Sequence, residues 1–166
     1  MTIDAQPSVT PTAHTLTPLL LITADPSHPL AALALRYASA YLASTINADA
    51  HAVADMNNAE NHSAELKADS AALQVFFYAD GAHTANRLRW QSADQFDITK
   101  EWQQLAERYQ LRLPVCVSTA LSRGISDVDN SQRHQLQGDN LAVGFDLVGL
   151  GELAMMLQTD CRLLQF

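Results

Sequence analysis

Basic residues are scarce in this chain: ten Lys and Arg against eighteen Asp and Glu, a formal net charge of −8. Phosphate recognition depends on cationic side chains, so direct nucleic-acid binding is not expected, and neither is attraction to an anionic membrane surface. Cysteine is almost absent. Two in 166 residues cannot form a disulfide framework, and nothing points to an oxidising compartment. Long apolar runs are missing too: the best, Leu19 to Ile22, is strand-sized, far short of the roughly 20 residues of a spanning helix. Met1-Thr2-Ile3-Asp4 has no basic stretch followed by an apolar one, so no export signal is expected. The six histidines (14, 28, 51, 62, 83, 134) are scattered without ligand spacing, and no Cys-x-x-Cys occurs, so no metal is expected. Gly144, Gly149 and Gly151 fall at the wrong spacing for a phosphate-binding loop, so no nucleotide cofactor is expected either. What is present is 48% hydrophobic residues over a length suited to one domain with one core. A cytoplasmic single-domain protein is the expectation.

Residues 1–18 hold three of the six prolines and read as a flexible leader. Leu19 to Thr23 is a continuous apolar run, as expected of a strand buried on both faces in a parallel sheet. Pro29 suits the first turn of a following helix, and Leu30, Leu33, Tyr37 and Tyr41 recur at helical steps as its apolar stripe through about Ser44. Residues 47–72 carry nine alanines and five acids against the single Lys67. With so little to anchor a helix to a core, they read as a solvated, partly helical insertion in a domain spanning 19–166.

Leu73 to Tyr78 reads as a second strand, aromatic and β-branched. A polar stretch, His83 to Gln91, has room for one or two helical turns. Asp97 is an N-cap type, and Ile98, Trp102, Leu105 and Tyr109 form an amphipathic helix to about Gln110. Leu113 to Val117 reads as a third strand. Ser118 and Thr119 are cap types before a helical Ala120 to Arg123, closed by Gly124. Asp127 to Gly138 has room for a short helix, the glycines at 144, 149 and 151 precede a helix over 152–158, and Cys161 to Phe166 reads as the last strand. Alternating strands and helices imply a three-layer α/β/α fold around a mainly parallel sheet of about five strands.

In such a sheet ligands and catalytic groups collect where strands end and helices begin. Three tips qualify: Thr23 to His28, Ala79 to His83, and Cys116 to Thr119. Only the last offers a strong nucleophile, Cys116. The positive end of the following helix is expected to face its sulfur, and a helix N-terminus favours a thiolate. The structural alternative is plain core, because a cysteine between two valines on a strand is ordinarily just buried. That alternative is stronger still for Cys161. His83 is placed to act as a base toward a neighbouring tip, or to be a solvated loop residue.

The segment Pro114-Val115-Cys116-Val117-Ser118-Thr119-Ala120-Leu121-Ser122-Arg123-Gly124-Ile125 resembles the active-cysteine segment of the DsrE-like sulfur-carrier family, and within it the TusD-type branch. Val75-Phe76-Phe77-Tyr78 with Gly81, Ala85 and Asn86 agrees, as do Asn140-Leu141 with Gly144-Phe145, Leu147 and Gly149-Leu150-Gly151, and the ending Arg162 to Phe166. The leader, the first loop Asp25 to Pro29 and the 47–72 insertion fall outside these blocks. The resemblance implies a sulfurtransferase subunit that carries sulfane sulfur as a persulfide on Cys116. Its implied partners are TusB-like and TusC-like subunits in a cytoplasmic hetero-oligomer, a TusA-like donor and a TusE-like acceptor. The implied end product is the 2-thiouridine of wobble-position tRNA, with no cofactor and no contact between this chain and RNA. Two other readings stand beside it: a DsrE-type carrier serving sulfur oxidation, and a non-catalytic scaffold subunit.

Overall fold

A computed structural model describes residues 16–55 and 72–166; the bulk of the leader and much of the 47–72 insertion lie outside the described residues. Five strands form one sheet, β1 (Thr17–Ile22), β2 (Gln74–Phe77), β3 (Leu113–Cys116), β4 (Phe145–Val148) and β5 (Cys161–Gln165), in the order β4-β3-β2-β1-β5 and all parallel. The expected parallel sheet is present. β1 begins two residues earlier than Leu19 and takes in Pro18, which pairs with Arg162 of the edge strand β5. β4 is a strand that the glycine-punctuated stretch before 152 did not suggest. Only four residues long and interrupted by Asp146, it lies at the sheet's edge, where a polar residue can face outward.

Helix α1 (Pro29–Asp55) starts at Pro29 as expected but runs well past Ser44 into the alanine-rich segment. Its buried face is not the expected one. Leu30 and Leu33 are exposed, and Ala31, Ala34, Leu35, Ala38 and Leu42 are buried instead. Small alanines let the helix axis settle close to the sheet, so bulk was a poor guide to the inward face. Tyr37 and Tyr41 stack with centroids 6.1 Å apart and pack at the margin of the core.

A 3-10 helix over Ala79–Ala85 follows β2 directly, earlier than the expected turns at 83–91. Helix α2 (Ile98–Tyr109) buries Ile98, Trp102 and Leu105 as its periodicity predicts. Phe77 meets Trp102 edge-on at 5.4 Å and Phe145 at the same distance. Three short helices complete the fold among the described residues: α3 (Val117–Leu121), α4 (Val128–His134) and α5 (Leu150–Leu157).

Asp97 caps α2, accepting from the Lys100 amide. Partial burial pushes its carboxyl pKa up, but the hydrogen bonds and charge of Lys100, with the Thr99 amide, outweigh that and hold it below the ordinary carboxylate value. A depressed folded-state pKa contributes stability above the unfolded pKa of about 3.9 that disappears as pH falls through the folded value. Asp97→Ala is therefore expected to lower stability by about 1 kcal/mol at neutral pH. In urea titrations the gap to the parent should close below pH ~4; a gap that persists there would exclude the charged cap as its source.

Topology decides which helices share a face. β1 to β4 step across the sheet in one direction, so right-handed crossovers place α1, α2 and the α3–α4 pair on one side. The connection from β4 to β5 runs back across the whole sheet, which places α5 on the other. The packing agrees. Leu20, Ile22, Val75, Phe77, Leu113 and Val115 form one core with residues of α1, α2 and α3. Leu19, Phe76 and Cys116 form a second, smaller cluster on the opposite face, against which Leu153 and Met156 of α5 pack. The result is three layers, with one outer layer far thinner than the other.

Candidate active site

The strand tips bring the matched sequence blocks together. Gly81 lies against β1: a Cβ there would stand 2.1 Å from the Ile22 carbonyl oxygen, and its amide donates to Thr23 O and Tyr78 O. The Asn140 side chain joins three segments. Its Nδ2 donates to Gly124 O at 2.9 Å and to Asn86 Oδ1 at 3.2 Å, while its Oδ1 accepts from the Ser126 amide. Asn86 and Leu141 also form an antiparallel bridge. In the sequence Asn86 and Asn140 stand out only as parts of the blocks similar to the family. Their work here is to hold the turn after α3 against the end of the 3-10 helix, a job that leaves no local periodicity to detect.

Cys116 closes β3, beside Val148 of β4, and is itself the N-cap position of α3, so that helix starts at Val117 without using Ser118 or Thr119 as its cap. The thiol makes no side-chain capping hydrogen bond, contrary to the expectation that the helix N-terminus faces its sulfur. The physical reason is strand alternation: Val115 points into the larger core, so Cys116 points to the α5 face, away from the helix that follows. There it is 0% exposed. Thr119 Oγ1 donates to the Cys116 carbonyl at 3.0 Å. Arg123 curls back toward the same turn, donating to Thr119 O, and its Nη2 meets Asp80 Oδ1 at 2.7 Å. The guanidinium therefore clasps the end of α3 to the 3-10 helix that follows β2.

His83 sits in the 3-10 helix, close enough for its charge to bear on Asp25 of the first tip. Partial burial pushes the Asp25 carboxyl up, yet hydrogen bonds from the Ser27 hydroxyl and amide, with the charges of His83 and Arg89, hold it below the usual range. Cys161 is remote from Cys116. It pairs with Thr17 at the start of β1, whereas Cys116 lies one residue beyond the Ile22–Phe77–Val115 level. Three strand spacings across and about six residues along separate them by more than about 20 Å, against the roughly 7 Å limit between Cα atoms for a disulfide. Among the described residues no three His, Cys, Asp or Glu side chains are grouped to hold a metal, and no helix is long and apolar enough to cross a membrane.

These features define a class: a parallel three-layer α/β protein with one cysteine at the carboxyl end of an inner strand. Residues 19–166 match the DsrE/DsrF-like family, and the chain belongs to it. It is 46% identical over 92 residues to the sulfurtransferase TusD of Pectobacterium carotovorum, covering 55% of this chain and 71% of that one. A sulfurtransferase TusD homolog of Vibrio vulnificus is 40% identical over 104 residues, 63% of this chain and 79% of the other. The crystal structure of the ychN protein from E. coli superposes with a TM-score of 0.56, covering 91% of this chain and 100% of that one. At 17% identity that likeness concerns the fold alone.

Proposed function

We propose that this chain is a sulfurtransferase subunit of a sulfur relay, carrying sulfane sulfur as a persulfide on Cys116. The observation that supports this most is the position of Cys116: the carboxyl end of an inner parallel strand, inside the DsrE/DsrF-like span 19–166 of a chain whose relatives are named sulfurtransferases. The donor in this reading is a TusA-like protein and the acceptor a TusE-like one. TusB-like and TusC-like subunits complete a cytoplasmic hetero-oligomer, and the sulfur ends in the 2-thiouridine of wobble-position tRNA. The acidic surface suits a member that meets proteins and never touches RNA.

The chemistry balances without an oxidant. The Cys116 thiolate attacks the outer sulfur of the donor persulfide; a new S–S bond forms, and the donor sulfur leaves as a thiolate that takes up a proton. The acceptor thiolate then attacks the outer sulfur on Cys116, which departs as a thiolate in its turn. Each step exchanges one S–S bond for another. Burial suits the loaded state, because a persulfide open to solvent is lost to small thiols and oxidants.

Mass spectrometry of the chain after incubation with a TusA-type persulfide donor tests the reading. One added sulfur is expected, located on the peptide containing Cys116. Cys161→Ser should load as the parent does, since Cys161 lies too far away to resolve a disulfide within the chain. Loss of loading in that variant would replace the single-thiol scheme with a dithiol one, and failure of the parent to load would remove the carrier reading altogether.

A further inference from the structure

A carrier thiol that exchanges sulfur with other macromolecules must be reached by their thiolates, yet Cys116 has no exposed surface. Resting on the carrier reading, we propose that α5 is a hinged cover, and that its displacement from the sheet is what exposes Cys116. The cluster of Leu19, Phe76 and Cys116 is completed by Leu21, Tyr78, Val148, Leu153, Met156 and Cys161. Of these only Leu153 and Met156 come from a helix. Removing that pair would uncover the middle of the cluster, whereas the other contributors belong to the sheet or its rim.

The cover is lightly held. None of the eight residues of α5 is buried, and Leu150, Met155 and Leu157 are exposed at 47%, 69% and 45%. By contrast α2 buries four residues and has a side-chain cap, and α5 has no such cap. Its first turn, Gly149-Leu150-Gly151, carries a glycine on either side of Leu150, and a Cβ at either glycine would meet nothing closer than 3.9 Å. Packing does not demand glycine there, which leaves a flexible joint between β4 and the helix. A single polar tie fastens the helix to the sheet among the described residues. Arg112, just before β3, meets Glu152 Oε1 at 2.7 Å and reaches Asp146 at 3.8 Å. Such exposed ion pairs hold weakly and release readily. Sparse burial with solvent-exposed ties is the signature of a segment that opens locally while the rest stays folded.

The test is the rate at which iodoacetamide alkylates Cys116 in the full-length chain carrying Cys161→Ser, under native conditions and at fixed pH. Arg112→Ala, which cuts the tie without touching the cluster, should raise the rate by roughly two- to fivefold, the population shift for losing an exposed ion pair. Met156→Ala, which thins the cover itself, should raise it further. Lys100→Ala, which breaks the exposed pair with Asp97 on the opposite face, should leave it unchanged. Equal rates in the parent, Arg112→Ala and Met156→Ala would overturn the proposal, as would equal acceleration by Lys100→Ala, which would mark general unfolding. The readout involves no sulfur donor. A chain that opens in this pattern but takes up no sulfur would retire the carrier reading and keep the cover; a chain that loads sulfur with uniform alkylation rates would do the reverse.

Discussion

Cys116→Ser is expected to bring sulfur loading from a persulfide donor down to background. A cysteine thiol ionises to the thiolate that exchanges at sulfur, whereas a serine hydroxyl does not. No neighbouring side chain can substitute, because Cys161 lies at the other end of the sheet. The serine hydroxyl would sit among Leu19, Phe76 and the apolar residues of α5, and burying it unpaired costs about 1–3 kcal/mol. Cys116→Ala, which adds no polar group, separates lost chemistry from lost stability. Both variants should fail to load. Loading of either at the parent's level would show that sulfur is carried elsewhere, and the assignment of Cys116 would be abandoned.

Gly81→Ala should destabilise the protein by about 3 kcal/mol or more. The added Cβ would stand 2.1 Å from the Ile22 oxygen and 2.8 Å from its carbonyl carbon, both main-chain atoms that cannot swing aside. That same oxygen accepts from Tyr78, and the Gly81 amide donates to Thr23 O, so relief of the overlap pulls apart the tips of β1 and β2. Gly151→Ala is the informative comparison. It meets open space, and exchanging a helical glycine for alanine should stabilise by roughly 0.5–1 kcal/mol. Urea midpoints that move in opposite directions would bear this out; equal midpoints would disprove the close approach at Gly81.

The residues that revealed themselves in the sequence did so through local pattern. Leu19 to Ile22 announces a buried strand because it is apolar without alternation, and Asp97 with Ile98, Trp102 and Leu105 announces a capped helix because cap and period agree. β4 did not, since four residues with an aspartate among them carry too little signal. The inward face of α1 is not legible either, because the Leu and Tyr side chains outweigh alanine in any count of bulk, while the sheet admits only what fits beneath a close helix. For the site, the type and place of Cys116 were legible, since one cysteine at a strand's exit stands out. Its surroundings were not, because Leu19, Phe76, Leu153 and Met156 come from four separate elements.

Sequence alone settled most of the alternation of strands and helices, the acidic balance of the chain, and the placing of a cysteine at the exit of the third strand. Each of those depends on composition or on neighbours within a few positions. Tertiary structure decided that Cys116 turns from α3 toward the opposite layer, that Arg123 is engaged by Asp80, and that α5 packs against the cluster holding the thiol. Those depend on strand order. The return of the chain from one edge of the sheet to the other sends α5, alone among the described helices, to the second face, and contacts between residues so far apart along the chain exist only once the sheet has formed.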